Sequence, residues 1–309
     1  MRLISRMAVR RPQNRAARLI LKTFRHSSFL EAHTWPDLVP TGTQKPIFCL
    51  SFDCDTEEDT RELPRLLDQL DNHSIPASFA LIGELVEEEP ETYRTIPERN
   101  YEVVNHGYSH HTAKRPDGSF YSSRFYHQLS VEEIRTEIFR NHELLESLIG
   151  AAVRGFRTPH FSTYQTAVNR QHIYALCREI GYDYSSSITS IHLKGSPDST
   201  SKDVVEIPLA GCWDDLRSPF DSWGLIAAPD RRYADDDFFD LFAKMLAASL
   251  TARNPVLVNI YVDPSHVVDF DGYHRMLGEL ARNRSDISLL NYGQLVDSLR
   301  GQENTPCAE

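Results

Sequence analysis

The sequence has few cysteines and no paired-cysteine motif. Its five cysteines among 309 residues are odd in number and include no C-x-x-C pair, a usage that fits a reducing compartment better than an oxidising one. The first 30 residues also lack the apolar centre of about 7 to 15 residues that a secretory signal needs, and they are too interrupted by charge to cross a bilayer. We therefore expect a cytoplasmic protein.

Acidic residues are missing from the first 30 positions, which carry eight Arg and Lys. The formal net charge is −11, so the rest of the chain carries about −19. This acidity argues against nucleic acid as a partner. Three interpretations of the basic extension remain open: a flexible or packed helix, a peripheral contact of residues 1–30 with anionic lipid, and an organellar transit peptide.

After the basic extension, apolar runs alternate with helical patterns. A capping-box signature begins at Ser130, and a second helical pattern over 167–181 ends in glycine; the polar stretch 194–202 is expected to be a surface loop. Strands that alternate with helices indicate an α/β fold with a parallel sheet, open or closed into a barrel. The strand candidates are 46–53, 75–82, 101–105, 153–157, 203–209 and 255–262.

This alternation predicts one catalytic domain. We expect a basic extension and linker over residues 1–45, a catalytic domain over 46–300 and a tail over 301–309. In either form of parallel sheet, functional side chains gather at the carboxyl ends of the strands.

Two aspartates stand where the first predicted strand ends. The run 46–52 leads directly into Asp53, Cys54 and Asp55. Residues two apart on a strand point the same way, and two carboxylates facing one space disfavour double ionisation unless a cation is present. The pattern therefore indicates a metal site or an acid–base pair, with Cys54 pointing away as a buried strand residue.

Two histidines follow the third predicted strand. His106 and His110 are four residues apart, a spacing that brings side chains together on one face of a helical turn. One carboxylate and two imidazoles leave coordination positions open, as catalytic zinc sites do. The residues alone predict one divalent metal ion but do not rank the two aspartates, and Zn, Co, Ni or Fe(II) would accept the set. His111 is expected to be a neighbour without a metal role.

The order F-D-x-D, N-H-G-x-S-H, F-R-x-P-x-F resembles the polysaccharide deacetylase family, the NodB homology domain of carbohydrate esterase family 4 type. The resemblance covers roughly residues 46–300. It implies a distorted parallel (β/α) barrel of the glycoside hydrolase/deacetylase type and metal-dependent hydrolysis of an N-acyl group from a sugar or related compound. It also implies roles for individual residues: Asp53 as general base, Arg157 as the group that orients it, and Asp55, His106 and His110 as metal ligands.

The sequence departs from the family's pattern after the last long strand. Asp263 stands where the family has its catalytic histidine, and His266 follows three residues later. Either His266 reaches the site as general acid, or Asp263 changes the arrangement and His266 lies on the surface. The candidate substrate-binding residues are two tryptophans of one loop, Trp213 and Trp223, and three residues within the second and third motifs, Tyr108, Thr158 and Pro159. A backbone N–H near Tyr108 or Thr158 is expected to stabilise the oxyanion.

Several functions fit these residues. The first is hydrolysis of a non-peptide carbon–nitrogen bond, by deacetylation or deformylation of an N-acylated carbohydrate. The others are hydrolysis of a small cyclic amide or ureide, carbohydrate binding without catalysis, and an iron oxygenase, because two histidines and a carboxylate also form the facial triad of Fe(II) enzymes.

Overall fold

The computed structural model describes residues 2–11, 14–40, 42–161, 163–194, 203–228, 231 and 233–303. Most of the loop predicted over 194–202, and the tail from residue 304 onward, lie outside the described residues.

Helices and strands alternate along most of the chain. Three helices come first: α1 (Arg2–Val9), α2 (Arg15–Thr23) and α3 (Arg25–His33). The strands are β1 (Ile47–Cys54), β2 (Ser78–Leu81), β3 (Glu102–Asn105), β4 (Thr112–Lys114), β5 (Phe120–Ser122), β6 (Gly155–Phe156), β7 (Tyr184–Ser185), β8 (Val205–Glu206), β9 (Leu257–Val262) and β10 (Ser288–Leu289). The remaining helices are α4 (Glu57–His73), α5 (Gly83–Glu88), α6 (Pro90–Glu98), α7 (Val131–Ile149), α8 (Ala167–Ile180), α9 (Ser190–Lys194), α10 (Asp235–Leu250), α11 (Pro264–Val267), α12 (Asp271–Arg282) and α13 (Tyr292–Glu303). Short 3₁₀ turns cover Pro36–Leu38 and Tyr126–Gln128, and a π-helical turn covers Trp223–Ala227.

The main sheet is parallel and curled. Its order is β10-β1-β2-β3-β6-β7-β8, with β9 paired to β1 over six residues. The N–H of Ala210, beyond β8, donates to the carbonyl of Asn259 in β9 at 2.7 Å, which brings the two ends of the sheet together. This arrangement confirms the predicted distorted parallel (β/α) barrel.

All eight residues of β1 are buried, because one face of the strand lines the barrel interior and the other lies under the helices. Ile47 and Cys49 belong to the interior apolar cluster, whereas Phe52 and Cys54 belong to the cluster beneath the helices. A strand buried on both faces reads as a continuous apolar run. The alternation also directs Asp53 inward and confirms that Cys54 points away from it.

Local sequence signals predicted the boundaries of two helices, but they did not reveal several of the short strands. Ser130 and Glu133 form the predicted capping box at the start of α7, and Gly181 ends α8 in the left-handed region at φ 92°. The sequence did not reveal β7 and β10, which have two residues each, or the hairpin of β4 and β5. Elements this short do not establish a period of their own.

The basic extension is packed against the barrel. Phe29 and Ala32 in α3 are fully buried, and the Nε2 atom of His33 accepts a hydrogen bond from Gly211 N–H at 3.1 Å. The ammonium group of Lys194 donates to the carbonyls of Glu31 and Thr34. Among the described residues, no helix is both long and apolar enough to cross a membrane.

Candidate metal and catalytic site

A cavity of about 340 Å³ opens at the carboxyl ends of the barrel strands. Its lining comes from the ends of β1, β3 and β9, from the segments after β6 and β8, from the start of α4 and from the hairpin of β4 and β5. The titratable Asp and His residues that line the cavity are Asp53, Asp55, Asp59, His106, His111, His160, Asp221, Asp263 and His266. The aromatic residues that line it are Phe120, Phe125, Phe161, Trp223 and Tyr261.

Asp55, His106 and His111 form a compact group of ligand atoms, all within 4.8 Å of one another. The Nδ1–H of His106 donates to the Arg157 carbonyl at 2.9 Å, so its Nε2 is left free as a ligand atom. His111 Nε2 lies 2.9 Å from Asp55 Oδ2. Burial lowers the pKa of both imidazoles, that of His111 to about 4. Neutral imidazoles beside a carboxylate are the donor set that Zn²⁺ and similar cations bind, so these residues fit one divalent metal ion.

His110, which was expected to complete this group, lies outside it in this structure. The segment after β3 forms no helical turn, because Gly107 takes a left-handed conformation at φ 84° and the chain runs irregularly to β4. The backbone N–H of His110 donates to Glu84 at 2.5 Å, and its 37% exposed side chain faces the same carboxylate. His111, which was expected to have no metal role, takes the inward position instead.

Asp53 forms a buried ion pair with Arg157. The Nη1 atom of Arg157 donates to Asp53 Oδ1, while Asp53 Oδ2 lies 3.7 Å from His106 Nε2. Burial raises the pKa of Asp53 to about 7, although Arg157 opposes this shift. A carboxylate whose pKa lies near neutrality is suited to general base catalysis.

The guanidinium of Arg157 is fixed within the barrel. It is fully buried, and it donates to Ser51 Oγ at 2.8 Å, to the Ser186 carbonyl at 3.2 Å and to the Tyr292 hydroxyl. These partners come from β1, the residue after β7, and α13, so several parts of the barrel hold the position of Arg157. Arg157 is therefore a fully buried residue of the barrel that forms a salt bridge with Asp53.

His266 and Asp263 form a second pair, which follows β9, the strand paired with β1. His266 Nδ1 lies 2.7 Å from Asp263 Oδ2, and Ser222 Oγ donates to the same oxygen at 3.1 Å. Burial lowers the pKa of His266, but the Asp263 carboxylate, with Asp59 and Asp55 behind it, outweighs burial and raises that pKa to about 9. A protonated imidazole therefore faces the cavity, and His266 does not lie on the surface.

Three other titratable residues of the cavity were not predicted from the sequence. Asp59 and Asp221 are buried, which raises the pKa of each to about 7. The ring of His160 packs 5.0 Å from that of His111, and its Nε2–H donates to the His111 carbonyl at 2.9 Å. Asp59 forms a capping box with Thr56 at the start of α4, and the spacing of these two residues could have identified it. Asp221 and His160 carried no comparable signal.

Three of the expected substrate-binding residues do not line the cavity. The N–H of Tyr108 donates to Glu137 at 3.1 Å, and the N–H of Thr158 donates to Ser187 Oγ at 2.9 Å. Both N–H groups are thus occupied and cannot serve a developing oxyanion. Pro159 is buried outside the cavity lining.

The two tryptophans lie in different places. Trp223 lines the cavity, with its ring 6.1 Å from that of His266. Trp213 packs instead on Phe29 of α3, with ring centroids 5.4 Å apart. Their closeness in sequence suggested one substrate wall, but the chain turns back between Gly211 and Pro219 and separates them.

Comparison with known proteins was made by sequence and by structure. Residues 41–182 match the family model described as Polysaccharide deacetylase. A peptidoglycan-N-acetylglucosamine deacetylase of Bacillus cereus is 28% identical over 106 residues, which is 34% of this chain and 34% of that protein. The aligned segment thus spans about a third of the curated relative.

Two solved structures share the fold over nearly their whole length. A Mycobacterium smegmatis protein, provisionally assigned as a polysaccharide deacetylase, superposes with a TM-score of 0.64 at 18% identity and covers 87% of this chain and 96% of its own. Puue allantoinase superposes with a TM-score of 0.64 at 12% identity over 88% and 94%. The sequence similarity to the polysaccharide deacetylase family thus covers residues 41–182, and the solved structures show the same fold over most of this chain.

Proposed function

We propose that this protein is a metal-dependent hydrolase of a non-peptide carbon–nitrogen bond, and that it removes an N-acetyl or N-formyl group from a sugar. The observation that carries this proposal is the placement of the Asp53–Arg157 pair beside Asp55, His106 and His111 in one cavity. The match of residues 41–182 to the polysaccharide deacetylase family supports the same reaction class.

Asp55, His106 and His111 would hold one divalent cation, which we propose is Zn²⁺. That cation would supply a Lewis acid for the amide carbonyl and would lower the pKa of water. Imidazole nitrogens and a carboxylate oxygen suit zinc, cobalt, nickel and ferrous iron alike.

Asp53 is the proposed general base. Its Oδ1 is held by Arg157, so the other oxygen, on the side of His106, is the one that takes a proton from the attacking water. Because Arg157 is itself fixed by hydrogen bonds to the barrel, the carboxylate does not need to reorganise during the reaction.

His266 is the proposed general acid. After water adds to the carbonyl carbon, the C–N bond breaks and the leaving nitrogen requires a proton. His266 carries that proton at Nε2 while Nδ1 faces Asp263 at 2.7 Å. Asp263 thereby keeps the imidazole charged and oriented, and the protein retains an acid despite its departure from the family's pattern.

The cavity provides aromatic surface for a sugar ring. Phe161 packs on Tyr261 with ring centroids 4.8 Å apart, and both line the cavity together with Phe125 and Trp223. A volume of 340 Å³ lies at the low end of ligand sites, which run from about 300 to 1,000 Å³. We therefore propose that the site takes a small N-acylated sugar or one end of a glycan.

The test is acid release from N-acetyl and N-formyl sugars, with small cyclic amides screened in parallel. We expect turnover of an N-acyl sugar that a chelator abolishes and added metal restores. Asp53→Asn should retain bound metal and lower kcat by about 10²- to 10⁴-fold.

Other results would change the assignment. Turnover of cyclic amides alone would replace the sugar substrate, and sugar binding without turnover would indicate a non-catalytic protein. Full activity of Asp53→Asn would overturn the general base.

A further inference from the structure

The outer surface of α1 and α2 carries an unusual share of exposed apolar side chains. Leu3, Ile4, Met7 and Leu19 are 71%, 46%, 64% and 68% exposed. They make up four of the eight large apolar residues that are exposed among the described residues, although the two helices are short. We call these four residues and the exposed basic residues around them the N-terminal face.

Packing within the protein does not account for these side chains. The inner sides of the two helices already bury Ala8, Val9, Ala17 and Leu21. Leu3 and Met7 are four residues apart and share the opposite side of α1. Each helix therefore has one apolar side that packs inward and further apolar side chains left in solvent.

Most of the exposed basic residues of the N-terminal face have no acidic partner among the residues that the structure describes. Among the described residues, Arg6 pairs with Glu31 and Arg25 with Asp214. No ion pair within the described part of the chain involves the other exposed ones, which are Arg10, Arg11, Arg15, Arg18 and Lys22. Because the chain beyond residue 30 carries about −19, this face differs in sign from the rest of the molecule.

We propose that the N-terminal face docks the protein on an anionic lipid bilayer, with α1 and α2 lying in the interface. Basic side chains would contact lipid phosphates while Leu3, Ile4, Met7 and Leu19 enter the boundary of the acyl chains. Nucleic acid fits less well, because the acidic remainder of the chain would be repelled and exposed apolar side chains have no part in phosphate binding.

The N-terminal face is firmly joined to the barrel, so docking would hold the whole protein. α3 lies between that face and the barrel and is anchored by the hydrogen bond between His33 and Gly211. α1 is tied to α3 by the hydroxyls of Ser5 and Ser28, 3.0 Å apart.

The experiment is flotation of the full chain with vesicles of phosphatidylcholine alone or containing about 30% phosphatidylglycerol, which provides a negative surface potential. One variant combines Arg11→Gln, Arg15→Gln, Arg18→Gln and Lys22→Gln. A second combines Leu3→Ser, Met7→Ser and Leu19→Ser. The matched control is Val131→Ser with Val168→Ser, two residues that are also exposed, 61% and 78%, but lie on α7 and α8.

We expect the wild-type protein and the control to bind the anionic vesicles, and binding to fall as salt rises. The charge variant should lose roughly 100-fold in partition coefficient, and the apolar variant at least about 10-fold. Far-UV circular dichroism of each variant checks that the helices remain formed.

Two results would overturn the proposal. One is that the wild-type protein and both variants partition equally onto anionic vesicles, or that the wild-type protein partitions equally onto neutral and anionic vesicles. The other is a lipid-independent dimer, seen by light scattering, that the apolar variant abolishes, because the N-terminal face would then be an interface between copies of this chain.

Discussion

His110, the last residue of the N-H-G-x-S-H motif, and His111, the residue after it, lie in different surroundings. His111 lies inside the cavity beside Asp55, whereas His110 lies at the surface beside Glu84. We expect His111→Ala to remove the bound metal and His110→Ala to retain it, since only the first deletes an atom of the ligand group.

Elemental analysis of the purified variants measures this difference, with Asp55→Ala as the positive control for metal loss. Loss of metal in His110→Ala together with retention in His111→Ala would restore the ligand set expected from sequence spacing.

The His266–Asp263 pair predicts the alkaline limit of activity. The pKa of His266 is raised to about 9, so the imidazole is protonated below that pH and its proton is lost above it. We expect kcat/KM to fall as pH rises through about 9. Burial raises the pKa of Asp53 to about 7, and a cation bound beside it would lower that value, so the acidic limit should lie at or below pH 7.

A pH profile of Asp263→Asn tests the assignment. Removal of the carboxylate takes away the charge that raises the pKa of His266, so the alkaline limb should move down by more than one pH unit. An unchanged limb in this variant would mean that another group sets it.

At the scale of elements, Asp59 joins the start of α4 to the start of α11. Its Oδ2 accepts from Thr56 Oγ1 at 2.5 Å, and its Oδ1 accepts from Ser265 N–H at 2.9 Å. The first contact fixes the segment that follows Asp55, and the second fixes the helix that carries His266. One carboxylate therefore sets the spacing between the proposed metal ligands and the proposed general acid.

We expect Asp59→Asn to lower kcat more than it raises KM. An amide presents a donor where one of these contacts needs an acceptor, so one contact breaks at a cost of about 1–3 kcal/mol. Steady-state kinetics and urea unfolding measure the two effects.

The matched control for Asp59→Asn is Glu133→Gln, which alters an exposed capping box at the start of α7. It should reduce stability slightly and leave kcat unchanged. Equal kcat values in Asp59→Asn and the wild type would limit Asp59 to a structural role.

At the scale of the whole molecule, the basic extension and the barrel should unfold together. Phe29 is fully buried and packs on His33 and Trp213, with ring centroids 4.1 and 5.4 Å away. We expect Phe29→Ala to lower the free energy of unfolding by about 3–5 kcal/mol. Leu19→Ala, at a position 68% exposed, should change it by less than about 0.5 kcal/mol.

Denaturant unfolding followed by fluorescence and circular dichroism compares the two variants. A small effect of Phe29→Ala would show that α3 is not part of the cooperative unit of the barrel.

The parallel α/β architecture, the carboxylates at the end of β1 and the resemblance to the deacetylase family could all be predicted from the sequence alone. These depend on local pattern: a strand buried on both faces must be apolar throughout, and polar residues that interrupt it at its end are readily seen. The cytoplasmic location, the domain boundaries and the lipid contact stay predictions.

Which of these side chains lie together depends on the tertiary structure. With Gly107 in the left-handed conformation, His111 and not His110 faces the cavity. The turn between Gly211 and Pro219 places Trp213 away from the cavity. His266 lies in the cavity because it is carried by α11. No periodic pattern encodes such irregular segments, because their course depends on hydrogen bonds to residues far away in the chain. The sequence therefore limits the candidate metal ligands and the candidate general acid to a few neighbouring residues. Which of these residues face the cavity depends on the folded structure.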